Sequence, residues 1–460
     1  MNCLKYFYLI LIGCGIFSSC KIGQPYRSPE IIDIPQMFES DGLKIERTSD
    51  VGWSTLYTDT VLQLLINKAL GNNRDVKIAI AKIREMQANK RISFAGLFPE
   101  IGAEVAGQKE FLNYGGGDKK YTPELRANLN IAWELDLWGN LRWENDVAVA
   151  AYLQTVEAQR ALRLSLIAEV AETYFELRAL DRKLIIVRQT LEARRQGVHF
   201  AKIRYEGGLT SEIPYQQSLV ELARTETLIP GLENDIKLKE NDLSVLVGEF
   251  PSGLIPRGED INQLNVPQNL PVDIPSSVLK RRPDVLLAEQ KLIEANAKVG
   301  IAFTDRFPVL RLTGRVGGEN SELTDFLKSP TWFISGMLMG PVFNMGKNKA
   351  RYEAEKAVYE QELYRYEKTI LAVFKEVNGA INTFRKMKEV RSSNEALYFS
   401  TKAYYDLARL QYLNGYVNFM DVLDSQRQLF DAELALNDAI LNELSSVVFL
   451  YKALGGGLIP

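Results

Sequence analysis

The sequence predicts a mainly α-helical chain that carries two β-hairpins and is built as an internal duplication. Two segments of about 65 residues, 140–204 and 347–411, contain no proline and carry apolar residues three and four apart. This spacing is typical of amphipathic helices. A segment of alternating apolar and polar residues precedes each of them, as expected for a strand with one apolar face. Matching residues recur at a constant distance along the chain, which indicates that one unit occurs twice.

The composition excludes several functional classes. Hydrophobic residues make up 46% of the 460 residues and charged residues 25%, which argues against a helical membrane bundle and against bulk disorder. The net charge of -3 has the wrong sign for a nucleic-acid partner, which requires a broad basic surface. One histidine and three cysteines leave few ligands for zinc or haem and no histidine-based nucleophile relay. We therefore predict no cofactor, no metal site and no enzymatic activity.

The first twenty residues are typical of an export signal. Lys5 supplies a positive charge, and the apolar stretch after it is too short to span a bilayer comfortably. The stretch ends in Phe17-Ser18-Ser19-Cys20, which is similar to the lipobox of bacterial lipoproteins. We predict that residues 1–19 are a signal peptide, that Cys20 is lipidated, and that residues 20–60 form an extended tether. The alternative is an ordinary signal peptide that is cleaved nearby and leaves Cys20 unmodified.

The duplication is visible as a fixed residue spacing. Four residues of one segment recur 209 residues later: Leu70, Asp75, Val76 and Ala79 match Leu279, Asp284, Val285 and Ala288. Phe98-Pro99 and Phe307-Pro308 keep this spacing, whereas Gly139 and Gly346 begin a region where the spacing is 207. The predicted divisions after the tether are repeat 1, a proline-rich extended linker, repeat 2 and a short tail, at 61–249, 250–275, 276–456 and 457–460.

Each repeat contributes one hairpin, at about 99–139 and at about 308–346. The alternation in the first hairpin is longer than a usual globular strand and suffices for a tilted transmembrane strand. The apolar side chains that we expect to face lipid are Leu125, Leu129, Ile131, Trp133, Leu135 and Leu137. The strands of the second hairpin are predicted at about 309–318 and 332–342. The alternative is an edge hairpin of a soluble sandwich. Four strands cannot close a barrel, so lipid-facing hairpins require several protomers to pool their strands.

The long segments predict helices of roughly 95 Å at 1.5 Å per residue. Each helix ends at a glycine turn, at Gly208 or Gly415, and a second helix then runs back through Leu246 or through Leu454. The apolar stripe is narrow, so each helix needs neighbours on its flanks. Taken alone, these helices would equally suit a soluble coiled-coil hairpin.

Several short motifs resemble one family. They are Cys20 with Gly23-Gln24-Pro25-Tyr26, Glu134-Leu-Asp-Leu-Trp-Gly139, Lys280-Arg-Arg-Pro-Asp-Val285, Pro341-Val-Phe-Asn-Met-Gly346 and Ala453-Leu-Gly-Gly-Gly457. Together with the duplication they resemble the TolC-like outer-membrane efflux factors, and more closely the lipoprotein branch that serves resistance-nodulation-division (RND) pumps. The resemblance implies a homotrimer whose four strands per protomer close a twelve-stranded barrel in the outer membrane. It also implies an α-helical barrel that continues this barrel into the periplasm.

The resemblance further implies a narrow periplasmic aperture at the helix turns. The matching positions are Tyr412, Met420, Asp421 and Asp424, with Gly208 and Gly415 at the turns where an adaptor would dock. In a trimer the two aspartates would form rings of carboxylates, whose negative charge attracts cations. The alternative is that they are solvated acids at a helix N-terminus. Some members lock this tip with an Asp–Arg pair, but the corresponding residues here are Pro214 and Val417.

The function that these observations predict is a passive exit duct for small toxic compounds or drugs in a tripartite efflux system. Its expected partners are two further copies of the chain, a periplasmic membrane-fusion adaptor, an inner-membrane RND pump and outer-membrane lipid. The expected location is the outer membrane of a Gram-negative-type bacterium, with a lipid anchor and a periplasmic extension. One alternative is the same duct in type I protein secretion. Another is a non-conducting, lipid-anchored coiled-coil or adhesion protein.

Overall fold

The computed structural model describes residues 21–29, 35, 52–113, 119–251, 253–264, 275–320 and 330–456, apart from the side chains of 110, 112, 113 and 119–124. The predicted signal peptide, Cys20 and the tail at 457–460 lie outside the described residues. The chain divides into two compact units. The first contains the described parts of Met1–Ile31, Ala81–Val156 and Leu287–Lys368, and the second contains those of Ile32–Ile80, Glu157–Leu286 and Thr369–Pro460.

The described elements follow one another in the order that the duplication predicts. The first helix, α1 (Trp53–Leu56), lies within the predicted tether. The elements of repeat 1 are α2 (Thr60–Asn72), α3 (Arg74–Ala95), β1 (Glu100–Asn113), β2 (Lys119–Leu135), α4 (Asn140–Glu206), α5 (Ile213–Glu226) and α6 (Leu228–Leu246). A short 3-10 turn at Ile261–Gln263 lies between the repeats. In repeat 2 they are α7 (Pro275–Arg281), α8 (Pro283–Thr304), β3 (Val309–Asn320), β4 (Pro330–Met339), α9 (Lys347–Leu413) and α10 (Phe419–Ala453).

The two long helices, α4 and α9, contain 67 residues each, about 100 Å at 1.5 Å per residue. Each extends two residues beyond the predicted end and begins after a glycine with positive φ, Gly139 at +84° and Gly346 at +79°. Asp136 stabilises the first turn of α4, because its carboxylate accepts hydrogen bonds from the backbone N–H groups of Leu141 (3.1 Å) and Arg142 (3.2 Å).

The return helices of the two repeats differ, which corrects the prediction of one helix in each. In repeat 2, α10 is continuous over 35 residues. In repeat 1 the helix is interrupted at Thr227, between α5 and α6. Pro230 explains the interruption, because proline lacks the N–H that would bond to the carbonyl of Glu226 and its ring clashes there. The proline therefore occupies the first turn of α6, where its missing donor is tolerated.

In the first unit the strands form one antiparallel sheet in the order β1-β2-β3-β4. In the first hairpin Glu100 pairs with Ala132, and in the second Val309 pairs with Met339. β2 and β3 join the hairpins, with Leu135 opposite Leu310. The strand bounds differ from the prediction in three strands. β4 spans Pro330–Met339 rather than about 332–342, β3 continues to Asn320 rather than to about 318, and β2 ends at Leu135.

The second unit contains the apolar core of α2 and of the central part of α4. Leu62 and Ile66 on α2 and Tyr174 on α4 are fully buried. The Tyr174 hydroxyl donates to Asp59 Oδ2 at 2.7 Å, and Asp59 Oδ1 accepts from the N–H of Val61 at 2.7 Å as the N-cap of α2. The predicted extended tether differs at its C-terminal end, because Trp53–Leu56 is helical and its Trp53 is buried.

No described helix combines the length and the apolar composition that crossing a membrane requires.

Candidate functional site

The four-stranded sheet has one apolar and one polar face. Residues that pair across an antiparallel ladder share a face, so the pairing assigns every side chain to one of the two. One row on the apolar face is Val105, Ala127 and Gly318, and another row on the same face is Ile131, Gly314 and Ile334. Val105 and Ile334 are 85% and 76% exposed in the protomer. An exposed apolar face of this extent is unusual for a water-facing sheet and suits contact with lipid.

The predicted lipid-facing residues of β2 share this face, with one exception. They are Leu125, Leu129, Ile131, Trp133 and Leu135. Leu137 lies beyond the end of the strand, so its assignment to the strand is wrong. The chain turns at this point because Asp136 caps α4, and the Leu137 N–H donates to the carbonyl of Leu135 at 2.9 Å. Leu137 continues the alternation of apolar and polar residues in the sequence, although the strand has already ended at Leu135.

The polar face of the sheet carries charged and amide side chains that bond to one another across the strands. Its cross-strand contacts are Arg311 Nε to Glu134 Oε2 (3.1 Å), Arg126 Nη2 to Gln108 Oε1 (3.0 Å) and Asn130 Nδ2 to Glu104 Oε2 (3.2 Å). Arg315 lies over the ring of Phe333 with 5.9 Å to its centroid. This face therefore suits a water-filled lumen.

The N-terminal strap, defined here as residues 21–29, packs against the start of α4 and against α8. The Ile22 N–H donates to the Trp138 carbonyl at 3.1 Å, and Trp143 Nε1 donates to the Ile22 carbonyl at 2.9 Å. Lys21 pairs with Asp146 and lies 3.4 Å from the centre of the Trp143 ring. The sequence indicated a tether but not this contact, because residues more than a hundred positions apart form it.

The two helix turns that were predicted as periplasmic tips lie in the second unit and have the same geometry. Gly208 and Gly415 have φ of +68° and +80°. The N–H of each glycine bonds to the carbonyl three residues earlier, at 2.9 Å for Gly208 and 3.0 Å for Gly415. The next N–H bonds five residues back, from Leu209 to Arg204 and from Tyr416 to Gln411. This is a Schellman cap, which glycine favours because it needs a left-handed residue.

Aromatic contacts join the two turns. The Arg204 guanidinium lies 5.1 Å from the centre of the Tyr412 ring, and Tyr412 packs on Phe419 at 5.3 Å. Tyr412 is therefore held between α9, α4 and the first turn of α10. The structure thus places one predicted aperture residue in a packed position within the protomer.

Met420, Asp421 and Asp424 lie in the first two turns of α10. Met420 is 41% exposed. Asp421 completes a capping box with Asn418, whose N–H donates to Asp421 Oδ2 at 3.0 Å. Asp424 accepts from Arg427 at 3.0 Å and from Gln428 at 2.7 Å. The capping box fits the alternative reading of Asp421 as a helix N-terminal acid, and Arg427 partly neutralises Asp424.

Pro214, which occupies one position of the Asp–Arg lock, lies in the first turn of α5. Val417 is partly buried before α10. Neither side chain is charged, so the described chain has no Asp–Arg ion pair at these two positions. In the described residues, no group of three His, Cys, Asp or Glu side chains is arranged to hold a metal ion.

Arg194 is a buried charge above the tip that the sequence did not single out. Its side chain is 4% exposed and forms an ion pair with Glu221 Oε2 at 3.1 Å. Arg194 Nη1 also donates to the Glu221 carbonyl at 2.7 Å, which attaches α4 to α5. Burial lowers the pKa of Arg194, against the opposing effect of Glu221. The residue lay among the charges of a long helix, and only the packing distinguishes it from its neighbours.

Comparison with known proteins gives a family match along both repeats. The family model described as outer membrane efflux protein matches residues 65–249 and 274–456. The cation efflux system protein CusC of Escherichia coli O6:H1 is 29% identical over 450 residues, which cover 96% of each chain. A solved structure of CusC has a TM-score of 0.85 at 28% identity and covers 95% of this chain and 100% of that chain.

Two further relatives match over nearly their whole length. TtgC, a probable efflux pump outer membrane protein of Pseudomonas putida, is 30% identical over 461 residues, which cover 97% of this chain and 95% of TtgC. SilC, a probable outer membrane lipoprotein of Salmonella typhimurium, is 28% identical over 462 residues, which cover 98% of this chain and 97% of SilC.

These matches confirm the predicted fold class, the outer-membrane location and the role of an efflux channel. The family consists of channel proteins, and the TM-score of 0.85 over the whole of the solved CusC chain shows that the two chains share one fold. The family model covers both repeats of this chain and leaves only the two ends and the linker unmatched. The chain belongs to the outer membrane efflux protein family.

Proposed function

We propose that three copies of the chain form a passive exit duct for small toxic compounds. The observation that carries this proposal is the sheet, whose apolar face is exposed and whose outer strands, β1 and β4, have a partner on one side only. Lipid contains no water to satisfy the open backbone groups of these edges, so the sheet must close with further copies. Three copies supply twelve strands.

We propose that a periplasmic adaptor docks at the two helix turns and that an inner-membrane RND pump supplies the energy. Both turns expose apolar side chains to water, which is unfavourable unless a partner covers them. Leu209 is 71% exposed and Tyr416 is 82% exposed, and the duplication makes them counterparts. Gly208 and Gly415 shape these turns, so both belong to the proposed docking surface. The duct itself carries out no chemical step.

We propose that Met420, Asp421 and Asp424 line the aperture of the trimer, with Tyr412 packed behind them. The two aspartates then form rings of carboxylates that favour cations over anions. The tip lacks the Asp–Arg lock, so its closure depends on packing between neighbouring copies. The relatives are named for different cargoes, and CusC is named as a cation efflux system protein. The carboxylate rings are compatible with cationic cargo.

Deleting the gene tests the cargo class. We expect cells without it to accumulate small toxic compounds, whereas export of a protein substrate stays unchanged. Complementation with the intact gene should restore the original accumulation. Unchanged drug accumulation together with lost protein export would instead favour the duct of a type I secretion system.

Planar-bilayer recording tests conduction and the aperture. We expect purified protein to conduct, and Asp421→Asn with Asp424→Asn to reduce the preference for cations. Asp438→Asn, an exposed acid further along α10, is the matched control and should leave the preference unchanged. Absence of conductance in all samples would favour the non-conducting coiled-coil protein.

The lipid anchor is proposed at Cys20, and the description of SilC as a probable lipoprotein supports it. Mass spectrometry of the mature N-terminus should find acyl chains on Cys20, and Cys20→Ser should abolish them. A mature N-terminus at another residue, without acyl chains, would favour an ordinary signal peptide.

A further inference from the structure

A surface cavity of about 710 Å³ lies beside the N-terminal strap in the first unit. Its lining comes from three elements, which are the strap, α8 and α9. The part from α8 is largely apolar and includes Val299, Gly300 and Phe303, whereas Tyr352 and Lys356 line the part from α9. A cavity of this size lies within the range of roughly 300–1,000 Å³ that is typical of ligand sites.

The strap is held at this cavity by side chains of α4 and α8. Asn296 Nδ2 on α8 donates to the Gln24 carbonyl at 3.3 Å. Trp143, which donates to the Ile22 carbonyl, packs directly over Gly300, where a Cβ atom would lie 2.4 Å from its ring. Glycine at position 300 therefore makes room for the ring that holds the strap. The wall that the strap supplies is a fixed part of the unit.

Three cationic side chains surround the cavity. Arg27 of the strap and Lys356 of α9 line it. Arg306, two residues after α8, lies over two lining rings, with its guanidinium 4.2 Å from the centre of Phe303 and 4.9 Å from that of Tyr352. Its Nε also donates to the Phe303 carbonyl at 3.3 Å. These contacts hold the guanidinium at the edge of the cavity and leave its Nη donors available.

The three cations have no carboxylate partner. Elsewhere in the same unit a neighbouring cation is neutralised, since Arg351 pairs with Asp305 at 2.6 Å. Among the residues that the structure describes, no aspartate or glutamate lines the cavity or forms an ion pair with Arg27, Arg306 or Lys356. All three residues are exposed to solvent. The cavity is therefore positively charged and suits an anion.

The duplication shows that this charge belongs to repeat 2 only. At the repeat spacings of 209 and 207, Arg306 corresponds to Leu97 and Lys356 to Val149. Both counterparts are apolar. The packing of the helices against one another therefore does not require cations at these positions, and their presence in repeat 2 calls for a separate explanation.

The position of the cavity along the chain indicates the source of the anion. Arg306 stands three residues before Val309, where β3 and the exposed apolar face of the sheet begin. Three residues span at most about 10 Å. The strap starts at Lys21, directly after the proposed lipid anchor Cys20. Both features place the cavity at the level of the lipid headgroups of the periplasmic leaflet.

We propose that this cavity binds the headgroup of an anionic phospholipid, such as phosphatidylglycerol, from the periplasmic leaflet of the outer membrane. Arg306 and Lys356 contact the phosphate oxygens, and Arg27 closes the site from the strap. The apolar residues Val299 and Phe303 receive the glycerol backbone and the first methylene groups of the acyl chains.

The chemistry of the cavity disfavours two other ligands. A soluble phosphate would satisfy the cations but would leave the apolar part of the lining uncovered. A zwitterionic phospholipid would bring its own ammonium group against three cations, which costs electrostatic energy. The inference goes beyond the proposed exit duct, because it concerns how each protomer is held at the membrane and not what passes through it.

Native mass spectrometry of the full-length protein, mixed in detergent with defined lipids, tests the site. We expect the protein to retain phosphatidylglycerol in preference to phosphatidylethanolamine. Arg306→Gln with Lys356→Gln should weaken the binding of phosphatidylglycerol about 25-fold, because each cation near an anionic lipid surface contributes roughly a factor of five. Lys368→Gln with Lys375→Gln removes the same charge from exposed positions further along α9 and should leave the binding unchanged.

Glycerol 3-phosphate distinguishes a lipid from a soluble phosphate, because it carries the anionic group without acyl chains. We expect an equal concentration of glycerol 3-phosphate to leave the bound phosphatidylglycerol in place. Displacement of the lipid under these conditions would show that the site takes a soluble phosphate, and the assignment to a phospholipid would be wrong.

The outcomes separate this inference from the proposed function. Equal retention of the two lipids, or equal binding of phosphatidylglycerol by the Arg306–Lys356 variant and the Lys368–Lys375 variant, would overturn the inference. The trimer seen in the same spectra, and its conductance, would remain as evidence for the duct. A protein that retains phosphatidylglycerol through Arg306 and Lys356 but conducts no ions would support the inference and overturn the duct.

Discussion

At the scale of single residues, Arg282 shows how a buried charge holds helix ends together. Its Nη1 donates to the Ala453 carbonyl at the end of α10 at 2.7 Å, and Nη2 contacts Asp284 at 2.7 Å and Glu376 at 2.6 Å. Asn73 occupies the counterpart position in repeat 1. Its Nδ2 donates to the Leu246 carbonyl at the end of α6, at 3.0 Å. The same junction is thus closed by an ion network in one repeat and by a neutral amide in the other.

We expect Arg282→Gln to lower the melting temperature of the purified protein more than Asn73→Ala does. Arg282 is 9% exposed, but Asp284 and Glu376 are 43% and 30% exposed, so the loss of its charged hydrogen bonds costs about 2–3 kcal/mol, less than for a fully buried pair. Loss of a neutral bond and a helix cap costs about 1–2 kcal/mol. Circular dichroism during heating measures both. The exposed Lys280→Gln is the control, and equal losses in Lys280→Gln and Arg282→Gln would contradict the assignment.

Glu433 on α10 is expected to make stability depend on pH. Burial raises its pKa above 4.5, although Arg182 and Lys402 act in the opposite direction. Ionisation is therefore more costly in the folded than in the unfolded state, so the stability that this group contributes at low pH is lost as the pH rises through the folded pKa.

We expect Glu433→Gln to raise the melting temperature at pH 7 and to have little effect at pH 3, where the carboxyl is largely protonated in both the folded and the unfolded state. Glu226, its counterpart in repeat 1, forms an exposed ion pair with Arg195 at 3.3 Å and provides the matched control. Glu226→Gln should not reproduce the gain at pH 7. An equal gain from Glu433→Gln at both pH values would show that packing, not ionisation, is responsible.

At the scale of elements, the break between α5 and α6 should be a point of local opening. Pro230 has no N–H group, so segment 228–233 lacks one helical hydrogen bond. The matching segment, 435–440, belongs to the uninterrupted α10. We expect faster hydrogen–deuterium exchange in 228–233 than in 435–440. Pro230→Ala should slow the exchange of the first segment only. Equal exchange in the two segments of the unmodified protein would show that the break does not weaken the helix.

Most elements could be predicted from the sequence because their signals are local and repeated. The long helices were placed within two residues, since Gly208 and Gly415 mark their ends with a conformation that few other residues adopt. Leu137 was misplaced because alternation alone cannot reveal that the preceding Asp136 caps a helix. The break at Thr227 was missed because proline also occurs in the first turn of regular helices.

The functional surfaces were less predictable, since they depend on contacts between distant residues. The strap contact of Lys21 with Trp143 and the burial of Arg194 leave no pattern within a short window. The role of Met420, Asp421 and Asp424 depends on neighbouring copies, so it stays a prediction. The sequence identified their positions through a resemblance, and the protomer shows only that Asp421 also serves as a helix cap.

At the scale of the whole molecule, assembly of the proposed trimer should depend on a polar contact that the duplication supplies twice. Within one chain Gln154 Nε2 donates to Glu294 Oε2 at 2.6 Å, and we expect the exposed counterparts Gln361 and Glu85 to form the same contact between copies. We expect Gln361→Glu to weaken the trimer, because it places a second carboxylate against Glu85 of the next copy. Adding Glu85→Gln should restore the trimer by exchanging the two side chains. Each like-charge contact between partly exposed groups costs on the order of 1 kcal/mol, and the trimer contains three such contacts. Native mass spectrometry after dilution measures the remaining trimer.

Gln154→Glu provides the internal comparison for that experiment. It creates the corresponding repulsion with Glu294 inside one chain, so it should lower the melting temperature without making assembly more sensitive to dilution. Trimer loss with Gln154→Glu but not with Gln361→Glu would contradict the proposed placement of the outer contact.

The two hairpins pair in the same register, because Glu100 and Ala132 correspond to Val309 and Met339 at the repeat spacings of 209 and 207. This identity has a consequence for the ancestry of the chain. A half-length ancestor with one hairpin and one long helix would have carried both sides of a single interface, so six identical chains could have closed the ring. Once two such units are joined in one chain, their sequences are free to differ. Trp143 faces the strap in repeat 1, and Ala350 stands at its counterpart, just as Arg194 has become Thr401. A chain with two repeats can therefore carry a tether contact or an altered helix turn in one repeat only. The interfaces that close the ring stay unchanged.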